Sequence, residues 1–169
     1  RWSWNRICTP TAEDLEKLIG KVAILDVIPD AGFQNYGASA DISTEIYFPV
    51  VGDQAMQGSC TAWANAYYAY GYMEAKDYAW NASSGNTDYL LSPAWAYNKV
   101  AAYDYGSDPV ELAELIIEWG VSTLSTMPYN DFDVDSWGEE PAWREAPYHR
   151  PLTYDPIFFV GPTTIDTIK

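Results

Sequence analysis

Positive charge, histidine, cysteine and long apolar runs are all scarce in this chain, and each shortage removes a class of function. Nine Lys+Arg stand against twenty-four Asp+Glu in 169 residues, a formal net charge of −15. Such a balance repels phosphate backbones and anionic lipid, which excludes nucleic-acid and membrane-surface roles. The longest uninterrupted apolar runs, such as residues 157–160, fall far short of the ~20 residues of a membrane helix, so no membrane span is expected. The two cysteines, Cys8 and Cys60, lie in no CxxC pair, and they cannot build the disulfide framework of a small secreted module. Neither a metal nor any other cofactor is called for. There is no internal repeat and no Gly/Ser linker. The chain opens with Arg1 rather than Met, without a basic start and apolar h-region, and reads as a processed chain from which any signal peptide has been removed. The sequon Asn81-Ala82-Ser83 and the acidic, Lys-poor composition lean toward an extracellular or cell-surface location.

What is present is a core in the making. Apolar residues are 48% and aromatics 16%, with eight Trp and fourteen Tyr, so most of the chain is expected to fold. Residues 1–40 read as an N-terminal extension or propeptide remnant with one short helix. In it Thr11 precedes Asp14 in a capping-box-like pattern, Leu15, Leu18 and Ile19 share a face, and Gly20 stands where a C-cap would. Residues 32–40 form the soft boundary. From Thr61 to Trp80 the composition predicts a helix that is apolar nearly all round and therefore buried. Ser92-Pro93 opens a second helix, and Asp108-Pro109 opens a third that ends at Gly120. In the third, Leu112, Leu115, Ile116 and Trp119 line one face and Glu111, Glu114 and Glu118 the other. After Pro128 the periodicity changes, and residues 148–160 have the aromatic, β-branched character of strands.

The stretch that carries chemistry runs from Val51 through Gln54, Gln57, Gly58, Ser59 and Cys60 to Ala64. A turn of small residues delivers a cysteine to the first turn of a long helix, where unpaired N–H groups and the helix dipole favour the nucleophilic form of its sulfur. Upstream, Gln54 carries an amide that can fold back toward that sulfur, and with the backbone N–H of Cys60 it can hold an oxyanion. The plainer alternative is a buried, inert cysteine beside a turn.

This pattern resembles the papain family of cysteine peptidases, in its divergent bacterial and archaeal branch. Leu91-Ser92-Pro93-Ala94 is similar to the opening of that family's second helix. Gly106-Ser107-Asp108-Pro109 followed by Gly120-Val121 is similar to its substrate-binding loop and next helix, and Met127-Pro128-Tyr129 to its Tyr-Pro-Tyr turn. The resemblance covers residues 41–169. It implies a papain-like α+β fold, with 41–129 as the helical subdomain and 130–169 as the incomplete start of the β-rich subdomain. It implies hydrolysis of a peptide or protein substrate through a thioester on Cys60, with Gln54 at the oxyanion and Gly106, Ser107 and Asp108 binding substrate. Departures are Gln57 in place of the first cysteine of the family's motif, Thr61 in place of an aromatic residue, and Ser107 in place of a second glycine. Asp108 stands where an apolar residue of the S2 pocket is usual.

The family's base is expected about 130–150 residues beyond the nucleophile, past the end of this chain at Lys169. The implied partner is therefore a C-terminal portion of the same polypeptide, or a second chain, supplying His and Asn. Residues 162–169 read as the first turns of a helix that continues into it. The sole histidine, His149, is weighed as the catalytic base, and the favoured reading is a surface residue at a strand edge. Two rival readings keep the fold: a catalytically inactive surface or assembly protein, and an acyl transferase in which an amine resolves the thioester. Asp131, Asp133 and Asp135 alternate as in a calcium loop but lack its glycine and closing glutamate, and a solvated acidic loop is expected. Trp2, Trp4, Trp80, Trp95 and Trp137 include potential platforms for sugar rings, with core packing the cheaper use. Cys8 is expected to be free or paired outside the chain, because a bond to Cys60 would silence the nucleophile.

Overall fold

A computed structural model describes residues 41–101 and 103–152. The expectations for Cys8, the helix after Thr11, Trp2, Trp4, the boundary at 32–40 and the terminal helix at 162–169 fall outside the described residues. Within them the chain is helical, as the sequence pattern of its first half indicates. The longest helix, α1, runs continuously over 60–77, as an α turn Cys60–Ala62, a π segment Trp63–Tyr70 and an α segment Gly71–Asp77. Its wide turn shows in the bond from the Gly71 N–H to the Ala66 carbonyl, five residues back. Helix α1 stops three residues before the predicted Trp80. The Trp80 N–H bonds the Ala75 carbonyl at 2.8 Å and the Ala79 N–H bonds Lys76 at 3.4 Å. Ala79 itself sits at φ 54°, so the reversal is a left-handed helix end built on alanine rather than glycine.

The expectation that α1 is buried all round is corrected. Ala62, Trp63, Ala66, Tyr67, Gly71, Glu74 and Ala75 are buried, while Ala64, Ala69, Met73 and Lys76 are exposed. The buried set recurs at helical spacing and makes one inward face. Helix α2 (Pro93–Val100) starts as predicted, with the Ser92 hydroxyl accepting from the Trp95 N–H at 3.2 Å and Pro93 in the first turn. Pro93 to Asn98 are all buried, so α2 is the central element. Helix α3 (Pro109–Trp119) also starts and ends as predicted, with Leu112 and Ile116 buried and Glu111, Glu114 and Glu118 exposed. Gly120, at φ 78°, is required where α3 ends: a Cβ there would lie 1.8 Å from the Ala146 carbonyl oxygen.

No strand occurs among the described residues. The Leu91 and Thr123 backbones form an isolated antiparallel bridge, flanked by Ser92 N–H to Ser122 O and Leu124 N–H to Leu90 O, both 2.8 Å. The predicted strand beginning at Tyr148 is therefore corrected over 148–152, and its remainder lies outside the described residues. Two helical pieces lead up to it instead, α4 (Glu140–Glu145) and a 3₁₀ turn at Ala146–Tyr148, which takes the first residue of the predicted strand. The Glu145 carboxylate explains their hold on the body: it accepts from the Thr123 N–H at 2.8 Å and from the Thr126 hydroxyl. Trp95, Tyr97, Leu91, Leu112 and Val121 fill the main core, with Trp63, Tyr67, Ala75 and Leu90 in a second cluster along α1. No helix among the described residues is long and apolar enough to cross a membrane.

Candidate functional site around Cys60

The loop before α1 is held down by the helix it introduces. The Tyr67 hydroxyl donates to the Val50 carbonyl at 2.7 Å, and the Gly52 N–H donates to the Tyr68 hydroxyl at 2.9 Å. Burial, and then the neighbouring Tyr68, push the Tyr67 phenol up to about 12, so it stays a neutral donor. Gly52 lies flat on the Trp63 ring, where a Cβ would come within 2.1 Å of the indole. The Asp53 carboxylate accepts the Ala55 N–H at 2.8 Å and turns the chain, with Ala55 at φ 49°.

That loop ends at Ser59 and Cys60. The thiol of Cys60 is exposed, which removes the alternative of a buried, inert cysteine. Ser59, the N-cap by position, makes no side-chain cap. Its buried hydroxyl pairs instead with the Tyr129 hydroxyl at 2.6 Å, and Tyr129 donates on to the Gln54 carbonyl at 2.8 Å. The Trp63 N–H reaches the Ser59 carbonyl at 3.0 Å, but the N–H groups of Cys60, Thr61 and Ala62 have no acceptor among the described residues. Three donors are thus left open in the turn that carries the sulfur.

The second loop of the expected site comes to the same place. The Thr61 hydroxyl donates to the Ser107 carbonyl at 3.3 Å, and a Cβ on Gly58 would stand 3.1 Å from the Gly106 nitrogen. Asp104 clamps the two loops, accepting from the Gly58 N–H at 2.7 Å and from the Tyr97 hydroxyl at 2.9 Å. Tyr97 in turn receives the Gly106 N–H at 3.2 Å. Burial, reinforced by the bond to Asp104, holds the Tyr97 phenol above its ordinary value. Asp104, Tyr97 and Ser59 were not legible as site residues, because their partners are distant in sequence.

The individual roles are redistributed. The Gln54 amide donates to the Gln57 carbonyl at 3.1 Å, inside its own loop, and its second hydrogen has no acceptor among the described residues. Gln57 is buried and reaches across to the Asp133 carbonyl at 3.4 Å. The Asp108 carboxylate, expected at a pocket wall, caps α3, accepting from Val110 N–H at 2.7 Å and Glu111 N–H at 3.1 Å. The expected edge of Gly106 and Ser107 is partly engaged already, through the Gly106 N–H and the Ser107 carbonyl.

His149 is far from the thiol. Its Nδ1 lies 2.8 Å from the Glu74 carboxylate, both groups are buried, and Trp80 and Tyr78 flank the ring edge-on. Glu74 stands about four turns down α1 from Cys60, roughly 20 Å along the axis. The expected surface histidine is thus buried and hydrogen-bonded to Glu74, a contact that docks the segment after α4, because Glu74 gives it the partner its burial requires. The acidic loop is likewise used internally: Asp131 accepts the Met56 N–H at 3.3 Å, and Asp133 accepts the N–H groups of Asp135 and Ser136. No group of His, Cys, Asp or Glu arranged to hold a metal occurs among the described residues. Comparison with family models, with curated proteins and with solved structures finds no match to the chain.

Proposed function

We propose that this chain is the nucleophile-bearing part of a papain-like cysteine peptidase of α+β fold, in which Cys60 attacks a peptide carbonyl and forms a thioester. The observation that carries this reading is the exposed Cys60 thiol in a helix turn with three open N–H donors. The Gly106-Ser107 loop packed beside it adds support. The Cys60 N–H and the free hydrogen of the Gln54 amide are the donors within the same loop for the oxyanion. The sulfur bonds the carbonyl carbon, the leaving amine takes a proton, and water releases the acid. The proton carrier is a histidine other than His149, supplied with its Asn by a further segment or a second chain. Val51 and Met56, in the loop before Cys60, are exposed to 84 and 76%, apolar surface suited to that partner. The protein is proposed to work at the cell surface or outside the cell.

The engagement of the sole histidine with Glu74 favours a second reading, a non-catalytic surface or assembly protein. An epoxide reagent for thiols separates the site from the fold: it should label Cys60 in preference to Cys8, and equal labelling would count against the assignment. Mixing with a partner segment that carries His and Asn should then yield peptide hydrolysis. Transfer to an added amine instead would mark an acyl transferase, and labelling without turnover the non-catalytic protein.

A further inference from the structure

The sequon at 81–83 has no part in the Cys60 chemistry, and it lies just past the reversal that ends α1. Asn81 is the N-cap position of a 3₁₀ turn, Ala82–Ser84, which leads into a second such turn at Thr87–Tyr89. A sequon carries meaning only where its asparagine reaches solvent. Here Asn81 and the whole run 83–89 are exposed, and only Ala82 between them is buried.

The two side chains of the sequon face each other. The Ser83 hydroxyl donates to the Asn81 Oδ1 at 2.9 Å, so the amide oxygen is engaged and the amide nitrogen is the end left over. That nitrogen has no acceptor among the described residues, whereas those of Asn65 and Asn98 are spent on backbone carbonyls. The amide and the hydroxyl that the Asn-X-Ser pattern requires therefore stand together at the surface. The segment is also loosely tied to the body. Among the described residues, 84–88 hydrogen-bond only within 81–89. The Ser84 hydroxyl donates to the Asn81 carbonyl at 2.7 Å, the Asn86 N–H to the Ser84 hydroxyl at 3.2 Å, and the Asp88 N–H to the Asn86 Oδ1 at 3.1 Å. The link outward is the bond from the Ser83 N–H to the Ile46 carbonyl at 3.0 Å, beside the buried Ala82. An enzyme can take up this segment by local opening, with the core intact.

We infer that Asn81 is an acceptor for an N-linked glycan, transferred from an oligosaccharide carried on a lipid diphosphate. Asn81 Nδ2 bonds the anomeric carbon of the first sugar, the bond from that carbon to the phosphate oxygen breaks, and the lipid diphosphate leaves with the electron pair. One Nδ2 proton passes through the transferase to solvent. The site is independent of the Cys60 reading. It rests on the location proposed above, since the pattern is used on exported chains.

The folded 169-residue chain, incubated with a single-subunit oligosaccharyltransferase and a lipid-linked oligosaccharide, tests the site without reference to location. Peptide mapping by mass spectrometry should find a glycan on Asn81 and nowhere else. Asn81→Gln and Ser83→Ala, both at exposed positions, should abolish it, and Ser83→Thr, which keeps the hydroxyl, should retain it. No transfer to the folded chain overturns the inference, and so does transfer that survives Asn81→Gln or Ser83→Ala. Transfer to Asn81 in a chain found inside the cell would sink the proposed location and uphold the site.

Discussion

Helices α1 and α3 begin side by side, linked by the bond from Thr61 to the Ser107 carbonyl, yet they begin in opposite ways. Asp108 closes the start of α3 with two hydrogen bonds from its carboxylate, and Ser92 closes the start of α2. At α1 the capping position also holds a serine, but its hydroxyl is turned away to Tyr129. The residue type is suitable in all three cases, so composition does not separate them. What separates them is a competing partner. Where a helix start only has to be stable, the local side chain satisfies it. At Cys60 a tyrosine from a distant turn takes the cap, and the donors stay open.

The comparison breaks first where a cap also holds the fold. Ser92 is buried, and besides capping α2 it donates to the Met127 carbonyl at 2.7 Å. Ser92→Ala removes the cap, worth about 1 kcal/mol, and orphans a buried carbonyl at about 1–2 kcal/mol more. Urea unfolding should show a loss of about 2–3 kcal/mol, with the labelling rate of Cys60 unchanged in the folded protein. A fall in labelling would mean that α2 and the thiol are coupled and the contrast between the helix starts is not local.

Asp108 sharpens the same contrast at smaller cost. Asp108→Ala should lose about 1 kcal/mol of stability, and Asp108→Asn only a few tenths, because asparagine caps nearly as well. If the carboxylate serves the helix alone, both variants keep whatever peptide preference the proposed peptidase shows. A preference lost in Asp108→Asn but not explained by stability would return Asp108 to the substrate pocket.

Legibility in the sequence followed the range of the interaction. Ser92-Pro93 and Asp108-Pro109 announce their helices because cap and proline act within one turn. The placement of Cys60 at a helix start was readable for the same reason, from the small residues before it. The end of α1 was not, since Ala79 takes a left-handed conformation that glycine would have signalled. Helix α4 was missed because Glu140-Pro141 and the Glu140–Arg144 pair at 2.6 Å were outweighed by the aromatic run that follows. His149 looked like a surface residue because its partner, Glu74, lies on α1. The Asp104 clamp and the Ser59–Tyr129–Gln54 chain join positions far apart in sequence, and no spacing rule reaches them.

The smallest expected effect is the most direct test of the open helix start. Tyr129→Phe removes the hydroxyl that holds Ser59 at 2.6 Å and the Gln54 carbonyl at 2.8 Å. The Ser59 side chain is buried and needs a new partner, and the nearest unpaired donors are the N–H groups of Thr61 and Ala62 in the first turn of α1. Its hydroxyl should swing onto them as an ordinary N-cap. The cap gained, about 1 kcal/mol, offsets much of what the lost tyrosine bonds contributed, about 1 kcal/mol each, so stability should move by no more than about 1 kcal/mol. The donors facing Cys60 are then occupied. Since charge at a helix start is worth about 0.3–1 kcal/mol, alkylation of Cys60 should slow by about two- to five-fold. The double variant Ser59→Ala/Tyr129→Phe has no hydroxyl to supply the cap, and its rate should return to that of the parent. A single variant that labels as fast as the parent, or a double variant that stays slow, would show that the open turn does not set the reactivity of the thiol.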